Sequence, residues 1–132
     1  MQRYLLDTQV LIWALTSPSK LTAKIVDLLS ANAICISSVS MLEIAIKQKI
    51  GKLPEMPISI DELETIILRD GFGLIQISTA HIDAYNAIPL HEEHRDPFDR
   101  LILATAYCEK MPIISADGNF KIYNTIISLV EM

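Results

Sequence analysis

Four short apolar runs constrain this chain more than any other feature. Tyr4-Leu5-Leu6, Ala33-Ile34-Cys35-Ile36-Ser37, Leu74-Ile75-Gln76-Ile77 and Pro112-Ile113-Ile114-Ser115 are each too brief to be a helix. They also lack the apolar–polar alternation of a strand with one wet face. Strands of this kind are buried on both sides, and burial on both sides is the mark of a parallel sheet covered by helices. A fifth run, Ile126-Ile127-Ser128-Leu129-Val130, reads as a weaker edge strand.

The segments between the runs carry helix signals. Val10 to Leu15 is too apolar to be exposed and reads as a short buried helix. Thr22 caps a helix with Ile25, Val26, Leu28 and Leu29 on one stripe. Ser40-Met41-Leu42-Glu43 and Ser59-Ile60-Asp61-Glu62 both match the S-x-x-E capping box, where the two side chains satisfy each other's backbone N–H groups. The first of these helices stops at Gly51 and the second near Asp70. Thr79 caps a further helix to about Ala87. Asp96-Pro97 opens the last, because proline suits the first helical position and aspartate the cap before it. That helix should run to about Lys110, with Asp99 as its third residue.

The alternation predicts an α/β fold: a three-layer α/β/α sandwich on a mainly parallel sheet of four to five strands, with residues 1–132 as one domain. A hydrophobic content of 51% supplies enough core for this, and 20% charged residues is too few for a disordered chain. No apolar run can span a bilayer, and Asp7 interrupts the only N-terminal one, so a cytoplasmic protein without membrane contact is expected. Cys35 and Cys108, far apart in apolar surroundings, read as buried reduced thiols. The formal charge of −5 argues against a broad basic footprint for nucleic acid, but not against a substrate reached through metal ions. It also suits a basic partner.

In parallel sheets, sites form at the carboxyl ends of the strands. Asp7 follows the first strand and Asp117 the fourth. Glu43 sits one turn into the helix after the second, and Asp99 one turn into the helix leading back to the fourth. Each has an ordinary explanation as a cap, a turn residue or a carboxylate facing a helix dipole. Their joint placement at one rim needs more. Four carboxylates in one cleft repel each other and require protons or cations. Mg²⁺ or Mn²⁺, hard ions that take oxygen ligands, are the natural counter-charge.

Leu5-Leu6-Asp7-Thr8, Ser40-x-x-Glu43-Ile44, Asp99-Arg100-Leu101-Ile102-Leu103-Ala104-Thr105-Ala106 and Ile114-Ser115-Ala116-Asp117 resemble, in order and spacing, the acidic motifs of PIN-domain nucleases. The closest resemblance is to the toxin subunits of VapBC-type toxin–antitoxin pairs. The segment His94 to Arg100 looks like a subgroup with an H-R-D-P-F-D-R signature. The resemblance implies divalent-metal-dependent RNA cleavage, a homodimer, and a cognate antitoxin whose tail occupies the site. It implies that Asp7, Glu43, Asp99 and Asp117 form the catalytic, metal-binding quartet. Asp7 and Asp99 would anchor the ion, and Glu43 and Asp117 would contribute directly or through water. Asp96 would be a cap with a secondary claim to the metal, and Thr8 would orient a metal-bound water.

His91 and His94 do not match the H-E-x-x-H zinc pattern, so a solvated loop is expected, with RNA contact by His94 as the sharper reading. Arg95 and Arg100 are expected to pair with carboxylates or, less simply, to reach phosphate. Lys47, Lys49 and Lys52 cluster near one helix end, where they suit its dipole; phosphate contact is the alternative. Trp13 is expected in the core, with a dimer surface as the second reading, and His81 on a helix surface. Two further functions fit acids at strand ends. One is a flap-type DNA nuclease, which usually needs a longer chain. The other is a receiver-like regulatory module, which would want a lysine where the fourth strand ends in Asp117. Acetyl-phosphate labelling would mark the receiver, and divalent-dependent RNA degradation the nuclease.

Overall fold

The computed structural model describes residues 2–92, 94 and 96–131. The apolar runs become strands β1 (Arg3–Leu6), β2 (Ala33–Ser37), β3 (Gly73–Ile75), β4 (Ile113–Ser115) and β5 (Leu129–Glu131). They form one sheet in the order β3-β2-β1-β4-β5, and every pairing is parallel. Side chains alternate across a strand, so neighbours in the central strands serve opposite cores. Leu6, Ile34, Ile36 and Ile114 face one core, with Val10, Leu11, Ile25, Ile44, Leu63 and Ile67. Leu5, Cys35 and Ile113 face the other, with Ile102, Leu103, Ala106, Phe120 and Tyr123. Leu5 and Leu6 are completely buried, each worth roughly 1.5–3 kcal/mol of transfer free energy.

Helices α1 (Thr8–Thr16) and α2 (Ala23–Ala31) link β1 to β2; α3 (Ser38–Lys49) and α4 (Ile60–Arg69) link β2 to β3. α5 (Thr79–Ala84) and α6 (Pro97–Glu109) link β3 to β4. The three-layer sandwich expected from the apolar pattern is therefore present. Thr22, Ser59 and Asp96 cap α2, α4 and α6 as expected. Gly51 and Gly71 stop α3 and α4 with φ of +76° and +87°, a region that costs glycine nothing. The backbone N–H after each glycine reaches back to close the helix end, from Lys52 to the Lys47 carbonyl and from Phe72 to that of Ile67.

Several boundaries differ. α3 is capped by Ser37, not Ser40, and starts three residues early. α5 is capped by Ser78, not Thr79. There His81 closes the capping box, so it is buried, not on the surface, and its Nε2 lies 2.8 Å from Glu109. β3 ends at Ile75 because the Ile77 N–H turns away to Ser38 Oγ (3.2 Å). The edge strand begins at Leu129 because the Tyr123 carbonyl holds the N–H groups of Ile126 and Ile127 in a turn. Cys35 is buried, Cys108 only half-buried, and neither is in a disulfide. Among the described residues, no helix is long and apolar enough to cross a membrane.

Candidate active site

Because α1 and α3 start directly after β1 and β2, their first turns stand at the carboxyl edge of the sheet. α6 returns toward β4 and begins at the same edge. This geometry gathers Asp7, Thr8, Glu43, Asp96, Asp99 and Asp117 around one open cleft of ≈ 330 Å³, with Trp13 and Lys47 on its wall.

Asp7 is buried at the floor. One carboxylate oxygen caps α1 through the Val10 N–H (2.8 Å). The other accepts the Ala116 N–H (3.0 Å) and the Ser115 hydroxyl. Burial outweighs these bonds and pushes the Asp7 carboxyl above the usual aspartate range. Ser115 has no role assigned by its motif alone; its sign in the sequence is a hydroxyl at the end of a buried strand, two residues before Asp117.

The Thr8 hydroxyl lies 2.8 Å from Glu43 Oε1 and 2.9 Å from Ser40 Oγ. An ionised Glu43 only accepts, so Thr8 donates to it and receives the Ser40 proton. Ser40, expected as a cap, is thus a fully buried link in a Ser40–Thr8–Glu43 chain. Glu43 is pushed up to about 7, first by burial and then by Asp99 and Asp96; the Thr8 bond and Lys47 pull the other way.

Asp96 accepts the Phe98 and Asp99 N–H groups (2.9 and 3.4 Å), which aims Asp99 into the cleft. Asp99 Oδ2 lies 3.1 Å from His94 Nε2, and His94 Nδ1 lies 2.8 Å from the Tyr123 hydroxyl. With Asp99 ionised, Nε2 carries the imidazole proton and Nδ1 accepts from Tyr123. Burial first, and then Asp96, push Asp99 up to about 6, against the His94 bond. Asp117 caps the turn at 118–123 through the Asn119 N–H (2.9 Å).

His94 is not the solvated loop residue expected. It is buried, edge-on to Phe120 and Tyr123, because α6 begins three residues later and folds the loop back over the core. Ligand atoms of His94, Asp99 and Asp117 lie within 4.8 Å of one another, close enough to share an ion. Among the described residues, Arg100 meets no carboxylate. It is buried, donates to the carbonyls of Ile88 (2.8 Å) and Pro89 (2.7 Å), and stacks on Tyr85 (4.9 Å). The loop before α6 offers it carbonyls, so it staples that loop. Arg95 and Glu93 lie outside the described residues. Trp13, expected in the core, is half-buried on the cleft wall.

The PIN domain family model matches residues 4–125. Among solved structures, the chain superposes on VapBC2 of Rickettsia felis bound to a promoter DNA fragment (TM-score 0.72, 18% identity, 98% of each chain covered). It also superposes on DNA-bound VapBC of Salmonella typhimurium (TM-score 0.67, 17% identity, 99% of this chain and 98% of that one). A toxin–antitoxin complex from Klebsiella pneumoniae matches as well (TM-score 0.61, 24% identity, 96% and 95%). At these identities the likeness shows the fold. Curated proteins searched by sequence give no match.

Proposed function

Since the chain belongs to the PIN domain family and its fold resembles the toxin subunits of VapBC-type systems, we propose that it is a divalent-metal-dependent endoribonuclease, the toxin of a toxin–antitoxin pair. The observation that carries the reading is the convergence of Asp7, Glu43, Asp99 and Asp117, from four separate chain segments, on one cleft. No ordinary capping role explains why four caps and turns should share a cavity.

Mg²⁺ or Mn²⁺ fits the donor set. The oxygens are hard, and Glu43 and Asp99 are raised first by burial and then by the neighbouring carboxylates, a penalty that a bound cation would relieve. Asp7 and Asp99 would hold the ion, with Glu43 and Asp117 completing the shell, Asp96 at its margin and His94 within reach. When bound, the cation supplies Lewis-acid activation of water and charge compensation at the phosphodiester. The chain does the rest. Asp7 is fixed by three donors, so the floor of the site is rigid before substrate arrives. Thr8 holds Glu43, and His94 holds Asp99, at defined oxygens.

The reading also places the protein in the cytoplasm as a homodimer controlled by a cognate antitoxin. Leu42 and Ile46, exposed on one stripe of α3, and Ile50 at its C-cap are the kind of apolar surface such partners cover. The −5 charge suits an antitoxin with a basic tail. The test is RNA cleavage in Mg²⁺ by wild-type and Asp7→Asn proteins. Cleavage should vanish in the variant while the far-UV spectrum stays native. Undiminished cleavage by cleanly purified Asp7→Asn would sink the assignment.

A further inference from the structure

Beyond the acidic cleft the molecule has a second groove, of ≈ 370 Å³, which shares Gln9, Trp13 and Lys47 with it and continues to Lys20 and Lys52. The two lie side by side and differ in sign: the first is lined by carboxylates, the second mainly by lysines. Three of the chain's seven lysines line the second groove, against one acid, Glu55. That is a local charge of about +2 on a protein of net −5. Among the described residues, none of these lysines lies in an ion pair with a carboxylate. At the junction stands Trp13, the only tryptophan, half-buried and presenting its ring to the groove, with Lys20 Nζ 5.7 Å from the ring centroid. The aliphatic residues of the groove, Ile12 and Leu53, are already buried and offer little apolar surface to a docking peptide.

We propose that this groove is a single-stranded RNA track that feeds the cleft, with one base stacked on Trp13 and the flanking phosphates on Lys20, Lys47 and Lys52. Aromatic platforms interleaved with cations are how single strands are held without sequence preference, because every base has a π-face and every linkage a charge. A strand seated there lies next to the carboxylates, separated from them only by Gln9, Trp13 and Lys47, which line both cavities. The proposal rests on the ribonuclease reading for the identity of the ligand, but it locates the strand independently of the chemistry.

Trp13 is also the probe. The intact protein is titrated with an eight-nucleotide RNA, in chelator and again with Ca²⁺ in place of Mg²⁺, while tryptophan fluorescence is followed. Saturable quenching is expected. Lys20→Ala/Lys52→Ala should weaken binding several-fold and lower the slope of log K against log salt by roughly 1.4, about 0.7 for each lost phosphate contact. Trp13→Leu, read by anisotropy of labelled RNA, should weaken it by roughly 5- to 150-fold. Lys110→Gln, at the far end of α6, serves as the reference and should bind like wild type. Metal-dependent RNA cleavage without quenching, or with wild-type binding by the double-lysine variant, overturns the track and leaves the nuclease reading standing. Quenching without any cleavage does the reverse. Quenching by an antitoxin-derived peptide but not by RNA also overturns it and makes the groove a protein-docking site.

Discussion

Asp7 and Asp99 look into the same cleft but are held by different chemistry. Asp7 is fixed by neutral donors that belong to the sheet edge: the N–H groups of Val10 and Ala116 and the hydroxyl of Ser115. Asp99 is fixed by an imidazole brought in by a loop: His94, backed by Tyr123 and Phe120. Arg100 binds the carbonyls of Ile88 and Pro89 and so anchors the start of that loop. One side of the site is therefore a by-product of the fold's framework. The other depends on a separate set of buried polar bonds. The difference teaches that damage to the second side can be inflicted without touching the first.

The largest effect on that comparison should come from Arg100→Leu. It leaves the Ile88 and Pro89 carbonyls without their donor and should cost roughly 3 kcal/mol in denaturant unfolding. A loss under about 1 kcal/mol would mean the loop is held elsewhere. Next is His94→Ala. Groups that orient metal ligands typically contribute 10- to 100-fold to metal affinity, so half-saturating Mg²⁺ for RNA cleavage should rise by roughly that factor with the fold retained. An unchanged Mg²⁺ requirement would show that Asp99 needs no such support.

The smallest effect concerns Thr8 and acts on the other side. Glu43 at about 7 and Asp99 at about 6 both hold their protons more tightly folded than unfolded, and Asp7 shifts the same way. Such groups favour folding below the ordinary carboxylate range, and this favour is lost as pH rises through the folded values. In chelator, the thermal midpoint should therefore fall by a few degrees between about pH 4.5 and pH 7 on account of these groups. Thr8→Val removes a bond that stabilises the charged form of Glu43, so the decline should extend to higher pH. Mg²⁺ should flatten it. A midpoint indifferent to both pH and Mg²⁺ would deny the strained charge of the cleft.

Much of this architecture can be read in the sequence. The unbroken apolar runs dictate burial on both faces, and burial on both faces dictates a parallel sheet. Asp7 and Asp117 are legible because they end such runs. Asp99 is legible because Asp96-Pro97 fixes where α6 starts. What stays hidden depends on contacts between distant segments. Ser40 matches a capping box, yet Ser37 precedes it and takes the cap, which frees Ser40 to meet Thr8, 32 residues away. His94 looks like a solvated loop residue and Arg100 like a partner for carboxylates, but the loop packs back over the core and both are buried. Trp13 has the composition of a core residue, and only the position of α1 at the sheet edge shows that it faces a groove.

The central claim is that the converging carboxylates hold a cation used to cut RNA, and Mg²⁺ titration of cleavage by wild-type and Asp99→Asn proteins tests it most directly. The account predicts no cleavage in chelator, saturable activation of the wild type by Mg²⁺, and activity in Asp99→Asn reduced at least 100-fold at the wild type's half-saturating concentration, on the order of 2.7 kcal/mol. Cleavage that persists in chelator, or an Asp99→Asn protein as active as wild type across the titration, would contradict it.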